Sequence, residues 1–195
     1  PDAVRLSLDW LDAHPDVGIC GPKILLPDGR LDGPCRRSFK TPAMYFYRFL
    51  GLTKRFPKSR RFGRYYLSYL DPDLTTDVDA VIGAFLLIRR ATFQQIGPLD
   101  ERFFMYCEDE DWCFRAKQAG WRVVYYPKAV VEHHKGTSSQ QHRARAAWYW
   151  HRSVFLHHRK HIAAGYHPLI NAAVYAGIAA SFAGQVTRSL AAQRR

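Results

Sequence analysis

From Ile162 to Thr187 the chain runs through 26 consecutive positions without a formal charge, and no other feature limits its fold as strongly. A segment of that length meets the spanning criterion of about 18 apolar residues. It is preceded by His157-His158-Arg159-Lys160-His161 and followed by Arg188, Arg194 and Arg195, a basic collar at both ends. Pro168 suits the first turn of a helix. Ala172, Ala176, Ala180 and Gly184 form a small-residue stripe of the kind that lets helices approach closely. Asn171, Tyr175, Gln185 and the many alanines make the segment only weakly apolar. The expected structure is therefore a helix lying on or dipping into a bilayer, anchored by its collar. A soluble docking helix is the alternative.

The preceding residues alternate short helical and extended patterns, which predicts an α/β fold with a mixed sheet. Val4, Leu8 and Leu11 at helical spacing predict a helix over 3–13, ended by His14-Pro15. Val17 to Leu26 reads as extended chain, Pro27-Asp28-Gly29 as a turn, and residues 30–39 as a returning strand that sets Cys20 opposite Cys35. Val78 to Ile88 reads as a buried strand or strand-loop-strand, with Gly83 where the backbone bends or approaches something closely. Arg89–Ile96 and Glu108–Ala119 read as helices stopped by Gly97-Pro98 and Gly120. Two short strands follow, Trp121–Tyr126 and Ala129–His133. The chain opens on Pro1 rather than Met and carries no signal-peptide pattern, so a fragment or processed product is expected.

Charge is unevenly placed. The 29 Lys and Arg exceed the 17 Asp and Glu by 12, and between Asp32 and Asp71 no acid occurs while ten basic and ten aromatic residues do. A basic aromatic insertion over 36–70 seeks an anionic surface: lipid headgroups, pyrophosphate or nucleic acid. A solvated basic flap is the plainer reading.

Two groups carry chemistry. Glu108-Asp109-Glu110-Asp111 opens a helix, where one or two acids suffice to complement the dipole. Four adjacent carboxylates raise one another's proton affinity, which suits a general base or a cation site. The second group is Glu132-His133-His134-Lys135-Gly136-Thr137-Ser138, two imidazoles followed by a loop able to bind a metal or a pyrophosphate. A solvated pair of histidines is the structural alternative. The spacing of Cys107 and Cys113 fits no common zinc finger.

The order of these motifs resembles the acceptor-side half of a family 2 glycosyltransferase of GT-A fold, in its rhamnosyltransferase-like branch. The resemblance rests on Pro1-Asp2 as the end of an Asp-x-Asp-type motif, Val17 to Lys23, Asp28-Gly29, Cys35-Arg36-Arg37 and Val78 to Phe85. It continues through Ile96 to Phe104, Glu108-Asp109, Ala119-Gly120-Trp121 and the His133-x-x-Gly136 turn. It implies a partial GT-A domain over 1–160, Rossmann-like, lacking its N-terminal nucleotide-binding half, and a membrane-associated tail over 161–195. It implies an inverting transfer of a sugar, rhamnose from a dTDP donor among the candidates, to a cell-envelope or polyprenyl-diphosphate-linked acceptor. Asp109 is then the general base, tuned by Glu108 and Asp111. Gly83, Ala84 and Trp112 line the acceptor floor, and His133, Arg143 and Arg152 face the donor diphosphate. Asp2 and His133 hold Mg²⁺ or Mn²⁺. The implied location is the cytoplasmic face of the plasma membrane, with no nucleic acid expected. The competing class is a non-catalytic basic module in which residues 36–69 grip nucleic acid or an anionic membrane.

Overall fold

The computed structural model describes residues 2–134 and 143–193, with the backbone alone for 143–144 and 189–193. Helix α1 (Ala3–Asp12) leads into strand β1 (Val17–Leu25), and a 3₁₀ turn, helix α2 (Pro42–Phe49) and helix α3 (Leu52–Arg55) follow. After two short strands, β2 (Thr76–Asp77) and β3 (Leu87–Ile88), come α4 (Arg90–Ile96), α5 (Glu108–Gln118) and β4 (Arg122–Glu132). Helices α6 (Arg143–His157) and α7 (Pro168–Gln193) close the chain, joined through one π turn, His158–Ile162.

The sheet order is β2-β4-β1-β3, with β1 and β4 parallel at the centre and the two-residue strands antiparallel at the edges. Central parallel strands are covered on both faces, and β1 is buried at six successive positions from Val17. On one face Ile19, Ile24, Val81, Cys113, Val123 and Tyr125 pack together; on the other Val17, Cys20, Val124 and Tyr126 meet Leu11. Each of α1 and α5 precedes a central strand through a short link and packs on it. Both helices therefore begin at the carboxyl end of the parallel pair, the end where open α/β sheets hold their ligands.

Several local expectations hold. The turn closes with Gly29 at φ 78°, and Gly97 (φ 76°) and Gly120 (φ 89°) end α4 and α5 in the left-handed region a side chain disfavours. The two short strands expected around Pro127 form one, β4, whose pairing with β1 slips between Tyr126 and Val130. Proline lacks the N–H that a continuous ladder needs there.

Other expectations are corrected. Residues 30–39 form no strand: Gly33-Pro34-Cys35 turn as a 3₁₀ helix, and only Leu31 and Arg37 make isolated bridges. Cys20 and Cys35 lie in the two different core clusters, on opposite sides of the sheet, and all four cysteines are free and buried. Helix α1 buries Ser7 and Leu11 and leaves Val4 and Leu8 exposed. Helix α7 packs on α6 through its larger residues, with Tyr175 against Phe155 and Phe182 against Trp148. Ala172, Ala176 and Ala180 face outward, because large side chains recover more area from water than alanines do.

The 36–70 segment is not simply a solvated flap. Arg36, Arg37 and Lys40 are buried, while the other seven basic side chains of the segment are exposed. Arg36 donates to the carbonyls of Leu70 and Asp71, both at 2.8 Å, and lies over the Tyr125 ring. Arg37 and Lys40 reach α5.

Candidate active site at the head of α5

Four carboxylates open α5, and the fold gives each a different environment. Asp109 is buried, and its Oδ2 accepts from Arg37 Nη2 and from the Gly83 backbone N–H, each at 2.8 Å. Its Oδ1 accepts the Glu110 N–H at 2.6 Å. The same guanidinium donates to the Val81 carbonyl at 2.9 Å. One cation thus ties the Val81–Gly83 loop to the start of α5.

Glu110 is fully buried, with Lys40 Nζ bound to its Oε2 and Arg37 Nη1 at 3.9 Å. Burial alone would raise its pKa, but Lys40, His157 and Arg37 outweigh that and hold it at about 2. Asp111 has a different set of partners. Its Oδ1 takes Lys160 at 2.5 Å and His161 at 2.6 Å, and its Oδ2 takes Arg115 at 2.9 Å. Against the cost of burial, these partners hold it at about 2 as well. The four acids therefore do not jointly raise one another's proton affinity; two are driven the other way by cations, Arg115 one turn along α5 and the others far off in the sequence.

Glu108 is the exception. It is half-buried, its pKa is raised by burial and by the charge of Asp109, and its Oε2 has no hydrogen-bond partner among the described residues. It stands beside Gly83: a Cβ at that glycine would lie 3.4 Å from Asp109 Cβ and 3.7 Å from Glu108 Oε1. Gly83 and Ala84 are themselves exposed, whereas Asp109 and the unpartnered Glu108 Oε2 are buried behind them.

The approach to α5 is strained and held. Tyr106 and Cys107 both sit in the left-handed region, at φ 69° and 63°, for roughly 1–2 kcal/mol each. Helix α6 holds this conformation: Ser153 Oγ donates to the Met105 carbonyl at 2.8 Å, Arg152 Nη1 donates to the Arg102 carbonyl at 2.6 Å, and Val154 packs with Phe103 and Cys107. Burial pushes the Cys107 and Cys113 thiols up to about 12, which removes them as nucleophiles near neutral pH.

Among the residues expected at the site, Glu108, Asp109, Gly83 and Ala84 come together. Trp112 does not join them: its indole N–H donates to the Gly97 carbonyl at 2.9 Å and its ring packs edge-on to Phe93 of α4. Asp111 anchors the turn after α6, and Arg152 braces the 102–107 loop. His133 follows β4 and pairs through Nδ1 with the buried Asp32 at 3.1 Å. Asp2 is exposed at the start of α1, at the same carboxyl end of the sheet. Lys135, Gly136, Thr137, Ser138 and the Arg143 side chain lie outside the described residues. Among the described residues no three His, Cys, Asp or Glu side chains converge as a metal cage. Mg²⁺ is commonly held by one or two carboxylates together with substrate phosphates, and no contact joins Asp2 and His133 among the described residues.

Arg37 and Lys40 complete the site, and no sequence motif gives either of them a role there. The available signal was their place in an acid-free stretch of a chain with four unexplained adjacent acids.

A family model described as "Glycosyltransferase like family 2" matches residues 48–150. An N-acetylglucosaminyl-diphospho-decaprenol L-rhamnosyltransferase of Mycobacterium tuberculosis is 33% identical over 156 residues, 80% of this chain and 50% of that protein. The rhamnosyltransferase WbbL of Escherichia coli is 36% identical over 76 residues, 39% of this chain and 28% of that protein. The low-salt glycan biosynthesis hexosyltransferase Agl10 of Haloferax volcanii is 33% identical over 103 residues, 53% and 28% of the two chains. The chain spans half the length of the mycobacterial relative and less of the other two.

Proposed function

The chain belongs to glycosyltransferase family 2, and from that premise we propose that it is the acceptor-side part of an inverting glycosyltransferase. The acceptor is a cell-envelope glycan precursor on a polyprenyl diphosphate, and the donor is a nucleotide sugar, with dTDP-rhamnose the first candidate. Residues 1–160 carry this part, and 161–195 hold it at the cytoplasmic face of the membrane. The observation that carries the reading is the Glu108–Asp109 pair beside Gly83 at the head of α5.

In this reading the acceptor hydroxyl lies over the Gly83–Ala84 ledge. Its oxygen bonds to the anomeric carbon as the bond to the donor diphosphate breaks, and its proton passes to Asp109. One displacement needs one base and leaves no sugar on the protein. Arg37 and the Gly83 N–H fix the carboxylate in position, the preorganisation such a step requires. Asp2 and His133 would hold Mg²⁺ or Mn²⁺, which when bound neutralises charge on the diphosphate leaving group.

A second assignment of the proton is favoured by one observation. The Asp109 oxygens already accept three hydrogen bonds, whereas Glu108 has an unpartnered oxygen and a raised proton affinity. Glu108 is then the acceptor of the proton and Asp109 its anchor.

The acceptor-side part alone is expected neither to bind the donor tightly nor to turn over. Asp109→Asn and Glu108→Gln therefore decide the matter in a protein that also carries the nucleotide-binding half, assayed for transfer to a prenyl-diphosphate-linked sugar. Loss by about 10²-fold or more in Asp109→Asn, with Glu108→Gln active, supports the first assignment. The reverse pattern supports the second. Full activity of both variants sinks the assignment of the base to this pair, and a protein with no transfer activity even without substitution sinks the enzyme reading. Salt-sensitive oligonucleotide binding indifferent to either substitution then supports the basic-module alternative.

A further inference from the structure

A cavity of about 710 Å³ lies between α2, α6 and α7, away from the ledge at Gly83. Phe46, Phe49, Trp150, Leu169, Ile170 and Ile178 give it apolar walls. At its mouth Phe49 is 86% and Leu169 74% exposed, a large apolar surface for a chain to leave in water. A second cavity of about 180 Å³ shares Tyr45, Arg48 and Trp150 with the first. Its wall includes Lys40, the cation bound to Glu110 of α5. An apolar trough thus leads through Arg48 toward the helix that carries the candidate base.

Three properties of the trough select its occupant. Its walls offer little to a polar metabolite. A bilayer covers convex apolar surface but does not fill a cleft with Val154 and Trp150 in its wall, whereas a single hydrocarbon chain does. Its charge is cationic: Arg48 lines both cavities and Lys40 lines the second, and neither lining includes an acid. Hydrocarbon along α7 and negative charge at Arg48 describe an anionic prenyl amphiphile.

We propose that this groove seats the isoprenoid chain of a prenyl diphosphate, with the diphosphate at Arg48. The inference rests on the acceptor reading above and gives that acceptor a site.

Gly177 provides the test. It lines the groove, and a Cβ built there meets no heavy atom within 4 Å, so Gly177→Phe fills the cleft without displacing backbone. Equilibrium dialysis of the purified protein with radiolabelled geranylgeranyl diphosphate is expected to show at least tenfold weaker binding in Gly177→Phe. Inorganic pyrophosphate binding is expected to be equal in the two proteins. Arg48→Ala is expected to weaken geranylgeranyl diphosphate binding while sparing geranylgeraniol. Unchanged geranylgeranyl diphosphate binding in Gly177→Phe overturns the proposal. That holds whether the variant instead loses vesicle flotation, which makes the groove a bilayer contact, or changes oligomeric state, which makes it an interface between copies. Asp109→Asn is expected to bind the probe normally. If it also keeps transfer while Gly177→Phe loses binding, the groove stands and the catalytic assignment alone falls.

Discussion

Arg37 and Asp109 stand 72 residues apart in the chain and 2.8 Å apart in the fold, both almost wholly withdrawn from water. The contact joins an acid-free segment to the first turn of an acid-rich helix, and it resolves the electrostatic problem each poses alone. Breaking a buried pair from one side leaves an uncompensated charge, at about 3–5 kcal/mol. Arg37→Met is therefore expected to lower stability by that order. Arg37→Lys is expected to recover only part of it, because an ammonium cannot serve Asp109, Val81 and Glu110 from one planar fork. Urea midpoints check both. The double variant Arg37→Met/Asp109→Asn should cost less than the sum of its parts, and strict additivity would show that the two groups do not interact.

Acid should destabilise the protein in two stages. His157 is buried between Phe39, Phe114 and His161, with Glu110, Lys40 and Asp111 around it, and neither ring nitrogen has a hydrogen-bond partner among the described residues. Burial lowers its pKa from 6.5 to about 4, only partly offset by Glu110. Between those values the unfolded chain binds the proton that the folded one refuses, so stability falls as pH drops from 6.5 toward 4, by up to roughly 3 kcal/mol. Glu110, held at about 2 against an ordinary 4.5, adds a second loss as pH falls from 4.5 toward 2. His157→Phe should flatten the upper stage and diminish the lower one, because His157 is one of the groups that hold Glu110 down. Denaturant midpoints from pH 4.5 to 7 measure this, and an unchanged slope in the variant would remove His157 as its cause.

What could be read from the sequence was local. The extent of α5, its stop at Gly120, the Gly97 stop of α4, the turn at Gly29 and the first turn of α7 at Pro168 each depend on residues within a few positions. The errors are of another kind. The strand expected to return over 30–39 after the turn at Gly29 fails at Gly33-Pro34, which bend the chain into a 3₁₀ turn. In α7 the small-residue stripe and the face bearing Val174, Tyr175 and Ile178 are both periodic, and only the presence of α6 determines which is covered. The destinations of Arg37, Lys40, Lys160 and His161 are long-range ion pairs. Composition reveals the surplus of cations there, but it does not reveal which acid each one meets.

Ser153 tests whether the strained approach to α5 matters to the site. Its hydroxyl, buried on α6, holds the Met105 carbonyl one residue before the left-handed Tyr106–Cys107 pair. Ser153→Ala should cost about 1 kcal/mol of stability, the ordinary worth of one hydrogen bond. If the bond also fixes Glu108 and Asp109, kcat should fall by more than that while KM for the acceptor moves little. A loss of stability with unaltered kcat would make Ser153 a packing residue and nothing more.

Helix α7 makes the strongest prediction about where the protein works. Over Pro168–Arg188 it is long and apolar enough to cross a membrane, yet almost none of its apolar window is buried in the protein. The face it does bury is pinned to α6, with His151 Nε2 3.2 Å from Ser181 Oγ. Apolar surface of this extent is worth about 25 cal/mol per Å² once covered, and the exposed cations of 36–70 add attraction to anionic headgroups. The two contributions separate by salt: the headgroup attraction is screened within about 10 Å at 0.1 M, and the apolar contact is not. The protein should float with phosphatidylglycerol vesicles at low salt and remain partly bound at 0.5 M. Replacing Lys54, Arg55, Arg60 and Arg61 by Gln should abolish the salt-sensitive fraction alone, and Leu169→Asp/Ile170→Asp should abolish the residue. Flotation that vanishes entirely with salt would make the membrane contact electrostatic and leave α7 as a helix awaiting a protein partner.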